Sequence, residues 1–296
     1  MSMSKTQNDE LSLELLFLQR VSYKRAKQFR NTYIILQLLI ILISVLKYYN
    51  VLNNQGYWIS FGMLFIFSIC MGYLSSKYNL IGVKTQDYFD RRLFGLLDYI
   101  DTNIDFEDLI HRAKVVKKRY SNDYAFQVSN TGDKGGVKDW YTLPNKDERL
   151  LPLYCQLENN IWSFHLAKIN LVIYSILFAL MSLSLLVVFW NQSLSTLVIF
   201  VCKYITIILP FTLSVFKLMS MVRSRLSLKN KIDNMNLRKN ISLDRFNVIL
   251  NDIQVQAFQI RKEKYLVSEI IYKMFRRSRH SFISEYISSK FEEDVK

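Results

Sequence analysis

The chain of 296 residues carries a formal net charge of +14, and half of its residues are hydrophobic and 14% aromatic, yet it has only 8 Gly, 3 Pro and 3 Cys. So apolar a composition excludes a disordered chain, and three scattered cysteines exclude a disulfide scaffold. All 25 acidic residues fall within 1–31, 77–168 and 219–296, and the long acid-free stretches between them exclude an ordinary soluble enzyme and mark an integral membrane protein.

The N-terminal arm, 1–31, places Leu11, Leu15, Leu18 and Val21 at helical spacing and gathers Lys24, Arg25, Lys27 and Arg30 near its end. This predicts an amphipathic helix over 10–30 that runs into the first apolar span, with a face compatible with either lipid or the protein's own body. Residues 32–49 and 57–76 are each long enough, at about 20 helical residues per bilayer core, to form a transmembrane hairpin over 32–76. No small-residue cleavage site precedes the first span, so it is expected to stay in the mature protein. On the second span Ser68, Gly72 and Ser76 recur every four residues, a stripe that lets helices approach closely.

The segment 77–168 is predicted to open with a helix over 88–100 and to continue into a basic helix over 109–120. Asp98, Asp101, Asp105, Glu107 and Asp108 lie between them, placed to complement a helix dipole. They lack the ligand periodicity of a calcium loop, and no metal is expected. Residues 121–153 have the texture of a loop, most of all Ser129 to Gly136. Trp140 and Tyr141 then stand beside Lys138. Aromatics next to a cation can stack on a nucleobase while the cation holds a phosphate, or they can plug a small core; both readings stay open.

A second hairpin is expected over 169–218, with spans 169–190 and 197–218. Ser175, Ala179 and Ser182 repeat the small-residue stripe. Lys203 and Pro210 lie inside the last span. They fit a pore-facing charge above a hinge, and equally a snorkelling side chain above a static kink. In the tail, 219–296, Ser242 is a helix cap in waiting, and Phe246, Ile249, Ile253, Ala257 and Ile260 form the stripe of a helix that packs on another. Either the continuation of the last span or the same tail in a second copy fits as its partner.

Of the 39 Lys and Arg, 6 lie in the arm, 14 in 77–168 and 16 in the tail, and none in the tips around 53–55 and 191–195. The positive-inside rule therefore puts both termini and the central segment in the cytoplasm. The spans hold no carboxylate, which argues against a proton- or cation-coupled transporter. Cys70, Cys155 and Cys202 have no neighbour at zinc or redox spacing and are expected to be reduced. His111, His165 and His280 form no catalytic spacing, and no nucleotide-loop or hydrolase motif occurs, so no enzyme and no cofactor is expected. No nucleic-acid reader motif is present either, which leaves the positive charge to lipid or a small anion.

Four segments carry a resemblance: LQRVSYKRAK at 18–27, KDWY at 138–141, CQLENNIW at 155–162 and DIQVQAFQIRKEKY at 252–265. In their order around the four spans the chain resembles the SMODS-associating four-transmembrane effector family of bacterial conflict systems. Ser163 stands where the family pattern has an acid, and 267–271 lacks its proline. The resemblance implies a mainly α fold and an effector in the bacterial inner membrane. Its partner is a cyclic oligonucleotide from a cognate nucleotidyltransferase, and its action is permeabilisation of the membrane, killing or arresting the infected cell as a homo-oligomer. On the resembling motifs, Arg20, Lys27, Trp140, Tyr141, Gln156, Asn159, Trp162 and Arg261 are the ligand-binding candidates. A non-conducting membrane scaffold for a protein partner is the alternative.

Overall fold

A computed structural model of the chain describes residues 3–48, 51, 53–99, 105–131, 134–141, 149–189, 193–234 and 242–263, with 274, 283, 285–287 and 289 beyond them; side chains at 45, 48, 181, 184–189, 194–208 and 210–211 are not described. The helices are α1 (Met3–Gln7), α2 (Glu10–Tyr48), α3 (Asn54–Phe94), α4 (Phe106–Arg119), α5 (Ser121–Ser129), α6 (Leu151–Phe189), α7 (Leu194–Asp233) and α8 (Leu243–Lys262), with a 3₁₀ turn at Leu97–Tyr99. Among the described residues the only β pairing is one bridge between Thr131 and Lys138.

Local chemistry sets several of these ends. Asn53 caps α3 by accepting from the Gly56 N–H at 2.7 Å, Asp105 caps α4 by accepting from Asp108 N–H at 2.9 Å, and Ser242 caps α8 by accepting from Arg245 N–H at 3.4 Å. Of the acids expected ahead of a helix at 109, Asp105 is the cap and Glu107 and Asp108 fall in the first turn, because α4 begins at Phe106; Asp98 sits in the 3₁₀ turn, and Asp101 lies outside the described residues. α3 stops at Gly95, whose φ of 70° is a left-handed conformation, and Leu96 N–H bonds back to the Arg91 carbonyl at 2.8 Å. The helix expected over 88–100 is therefore the end of α3, which runs unbroken from the second apolar span and finishes six residues earlier than expected. The stretch expected as loop after 120 instead forms α5, because Tyr124 packs edge-on against Phe17 of α2 with ring centroids 5.2 Å apart. α6 starts well before residue 169, with Pro152 in its first turn, where a missing N–H costs no helical bond.

α2 and α3 form an antiparallel pair whose register can be followed from end to end. Gln37 Nε2 donates to Ser68 Oγ at 3.1 Å, Ser75 Oγ donates to the Ala26 carbonyl at 2.9 Å, and Arg92 reaches Asp9 at 2.5 Å. A Cβ on Gly72 would sit 3.7 Å from the Tyr33 ring, so the small-residue stripe is where these helices come close. α6 packs on α7, α4 lies along α2, and α8 rests on α3, α7 and α6 of its own chain.

Burial differs sharply along these helices. At one end Leu15, Leu16 and Phe17 of α2, Phe89 of α3, Leu153 and Leu157 of α6, and Leu250 and Ile253 of α8 are shut from solvent. Each such side chain contributes about 1.5–3 kcal/mol. At the other end Ile35 and Leu38 of α2, Ile59 and Ile66 of α3, Ile176 and Leu180 of α6 and Phe216 of α7 are exposed. Among the described residues two helical stretches are long and apolar enough to cross a membrane, Asn54–Phe94 and Leu151–Leu180.

Candidate functional site in the polar body

The body buries charge as well as hydrocarbon. On α3, Val83, Asp87, Asp90 and Phe94 fall on one face at helical spacing, all buried, with Arg91 alongside. On α8, Asn251, Gln254 and Arg261 share the face that meets them. Arg261 Nη1 donates to Asp90 Oδ2 at 2.7 Å, and Asp90 Oδ1 accepts from the Tyr141 hydroxyl at 2.7 Å. Asn159 Nδ2 donates to the Tyr141 oxygen at 3.2 Å. Tyr141 is fixed from behind by its own N–H, which donates to Gln7 Oε1 at 3.2 Å.

A second arm of the network starts at Asp87, which accepts from Arg91 Nε at 2.9 Å and from Gln254 Nε2 at 2.6 Å. Gln254 in turn accepts from Gln156 Nε2, and Arg91 Nη1 donates to Asn251 Oδ1 at 2.8 Å. α6 reaches α7 through Asn160, whose Nδ2 donates to the Arg225 carbonyl at 2.8 Å. The two buried carboxylates thereby tie α3 to α8, to α6 and to the segment that carries Tyr141.

The electrostatics are unbalanced. Burial pushes the Asp90 carboxyl upward, and the Arg261 guanidinium and the Tyr141 hydroxyl only partly offset this. Burial works against the charge of Arg261, but Asp90 more than restores it. Arg225 is pushed down to about 9, first by burial and then by the neighbouring Arg261 cation, so it stays charged at neutral pH. The Tyr23 phenol of α2, near both guanidiniums, is pushed up to about 12 by burial. Arg261 Nε and Nη2 and Arg225 Nε are buried and meet no hydrogen-bond acceptor among the described residues. Leaving buried donors of charged groups unmet costs several kcal/mol.

Four of the residues singled out from sequence, Tyr141, Gln156, Asn159 and Arg261, meet in this network. Arg20 and Trp140 form a separate pair, the guanidinium 5.7 Å from the ring centroid, with Arg20 also donating to Gln127 Oε1 at 3.3 Å and to the Gly135 carbonyl. Trp162 packs half-buried against the apolar core, and Lys27 lies half-buried one turn beyond Tyr23 on α2. The helix α7 runs through Lys203 and Pro210, whose side chains fall outside the described residues. Of the cysteines, Cys70 and Cys155 are free, and the Cys202 side chain is likewise not described. Among the described residues no group of three or more His, Cys, Asp or Glu is placed to hold a metal.

Sequence reasoning missed Asp87, Asp90, Arg225 and Gln254. The signal was there for the two acids: once α3 is drawn straight through from its apolar half, they continue the inward stripe of Val83 and Phe94.

Long helices with outward apolar faces, joined to a body closed around paired charges, define a helical membrane protein. The chain belongs to the SMODS-associating 4TM effector domain family, whose sequence model matches residues 1–289. It is accordingly a membrane effector linked to SMODS and cyclic-oligonucleotide signalling in antiviral defence, and the family is not a known catalytic domain. No curated protein and no solved structure matches the chain.

Proposed function

We propose that the chain crosses the inner membrane four times, at 32–49, 57–76, 169–190 and 197–218, with its body and both termini in the cytoplasm. A cyclic oligonucleotide made by a cognate nucleotidyltransferase binds the body and converts the bundle into a permeabilising assembly of several copies, which kills or arrests the infected cell. The observation that supports this reading is the buried Arg225 and Arg261 pair, with three guanidinium nitrogens that no acceptor among the described residues meets. A phosphate entering there competes with Asp90 for Arg261 and loosens α8 from α3. Arg20 and Trp140 at the rim offer a cation and a stacking face for a second part of the ligand. Lys203 and Pro210 are assigned to the conducting path and its bend.

Switching the population from 1:99 to 99:1 needs an active-state preference of about 10⁴-fold, about 5.5 kcal/mol. Two charge-assisted bonds to phosphate at about 1.5–3 kcal/mol each, with one base stacked for about 1–3 kcal/mol, reach that figure.

The test is dye release from proteoliposomes of the full chain challenged with individual cyclic oligonucleotides. One of them releases dye from the unaltered protein, and Arg261→Ala abolishes release while circular dichroism stays unchanged. Absence of release with every cyclic oligonucleotide favours the alternative, a non-conducting scaffold. That reading has its own support: Tyr141, Gln156, Asn159 and Arg261 spend hydrogen bonds on holding the body together.

A further inference from the structure

Away from the buried network, α4 and Arg25 of α2 line an open cavity of about 310 Å³. Its polar wall is Arg25, His111, Arg112 and Arg119, opposed by the single carboxylate of Asp108. Val115 and Val116 supply an apolar strip beside them. Arg112 Nε donates to Asp108 at 2.6 Å, so this acid is already engaged, and Lys84 of α3 adds a further positive charge close to it. Asp105 acts on Arg112 from the N-cap of α4, and among the residues that line the cavity Asp108 is the one carboxylate facing three guanidiniums.

Arg25 is held in place rather than left to wander. Its Nη1 donates to the Tyr78 hydroxyl at 3.0 Å and its Nη2 to the Tyr120 hydroxyl at 2.5 Å. The same guanidinium lies over both rings, 5.3 and 5.6 Å from their centroids. Tyr78 is in turn stacked on Phe29, with centroids 5.5 Å apart. A guanidinium fixed by two phenols keeps its charge, because neither partner neutralises it, and loses little entropy when it takes an anion.

The level of this cavity along the helices decides which anion reaches it. Tyr78 lies two residues beyond the apolar span that ends at Ser76, and Arg25 seven residues before the span that begins at Thr32. At 1.5 Å per residue these are about 3 and about 10 Å from the hydrocarbon edge. The headgroup layer is about 5–8 Å thick; the Arg25 backbone lies just beyond it, and its guanidinium, bonded to the Tyr78 hydroxyl, reaches back toward it, so the cavity opens at the cytoplasmic edge of that layer. Tyrosine rings at the boundary, a cationic wall and an apolar strip match a phosphate with a glycerol and acyl chain attached, whereas a free phosphate compound would use only the cations.

We infer that the Arg25, Arg112 and Arg119 cavity holds the phosphodiester headgroup of an anionic phospholipid of the inner leaflet, a site separate from the buried network around Asp90. The inference rests on the placement of α2 and α3 in the membrane, and it is independent of the nucleotide and of the pore.

The experiment uses the full chain in detergent with no nucleotide present, and native mass spectrometry counts lipid retained on titration with phosphatidylglycerol or with phosphatidylcholine. Phosphatidylglycerol is expected to be retained selectively, and Arg112→Gln with Arg119→Gln to weaken that retention at least about tenfold. The control removes more charge elsewhere, with Lys5→Gln, Lys134→Gln and Lys262→Gln, all exposed positions on the body, and is expected to leave it within about twofold, since charges farther off than a Debye length are screened. Equal retention of both lipids overturns the inference, and so does equal loss in the control, which would reduce the effect to bulk attraction. Inorganic phosphate is added in a further arm: displacement of the lipid by millimolar phosphate assigns the cavity to a free phosphate compound and overturns the lipid assignment. Because Arg112 and Arg119 are exposed, loss of fold is not expected, and unchanged circular dichroism confirms it. A failure here leaves the dye-release result standing, and the reverse holds too.

Discussion

The two ends of the same helices obey opposite rules. In the body, Leu15 to Leu18 of α2 are buried and so is the charged network, whereas twenty residues further on Ile35, Leu38 and Leu42 face outward and the small residues Ser44 and Ser68 are buried. Water drives the first arrangement, since apolar area and unpaired charge both leave it only when they find partners. On the proposed spans lipid removes that drive in the second, so close packing of small residues and a few hydrogen bonds such as Gln37 to Ser68 decide which face turns inward. A substitution should therefore be costly or mild according to the end of the helix it touches, whatever its chemistry.

The sharpest break of that contrast is at Asp90. Asp90→Ala leaves Arg261 buried without its anion, and a loss of about 3–5 kcal/mol is expected in unfolding of the body monitored in detergent. Replacing both partners, Asp90→Leu with Arg261→Met, is expected to recover most of that loss, because paired apolar groups leave no uncompensated charge. If the double variant is as unstable as the single one, the network is held by shape rather than by charge pairing.

One step smaller, Leu157→Ala in the body should cost about 2–5 kcal/mol through the cavity it leaves. Leu38→Ala on the exposed face of α2 should stay within about 0.5 kcal/mol in the same measurement, as substitutions away from packed features do. Equal effects would mean that the outer face of α2 is covered in the purified state, by another copy or by lipid.

The comparison sharpens further at two glycines of α3. A Cβ on Gly82 would lie 3.0 Å from the Tyr23 ring, so Gly82→Ala must displace the phenol and is expected to destabilise by about 1 kcal/mol. Nothing lies within 4 Å of a Cβ on Gly62, and Gly62→Ala is expected to stabilise by up to about 1 kcal/mol through helix propensity. Thermal unfolding of the two variants side by side checks the sign.

The smallest effect is at the rim. Burial alone would raise the Asp9 carboxyl, but hydrogen bonds from Arg92 and Ser12 more than offset it and leave its pKa below the ordinary value of 3.8. The native state then binds fewer protons at Asp9 than the unfolded chain does, so its contribution is full above about pH 4 and fades as pH falls below 3.8. As a half-exposed pair it contributes well under 1 kcal/mol, and Asp9→Asn should flatten the acid limb of a stability profile by that amount.

What could be read in advance follows the range of the interaction involved. The apolar stretches, the cap at Ser242 and the inward stripe of α8 depend on residues within a turn or two and were legible, whereas α4, capped by Asp105, starts at Phe106 and not at the expected 109. α5 was not, because the contact that orders it joins Tyr124 to Phe17 across more than a hundred residues. The site was half legible: Tyr141, Gln156, Asn159 and Arg261 stood in recognisable motifs, while Asp87 and Asp90 stood in none. Their burial depends on partners such as Arg261, 171 positions away, which no local pattern announces.

The continuity of α3 has a mechanical consequence. A helix without a break between Asn54 and Phe94 behaves as a lever, and its contact with Ala26 at Ser75 is a natural fulcrum. From Ser75 to Asn54 the arm is about 31 Å at 1.5 Å per residue, so a tilt of about 5° at the body shifts the far tip by about 3 Å, the width of a water molecule. Motion too small to unfold anything at one end is thus wide enough to part neighbouring helices at the other.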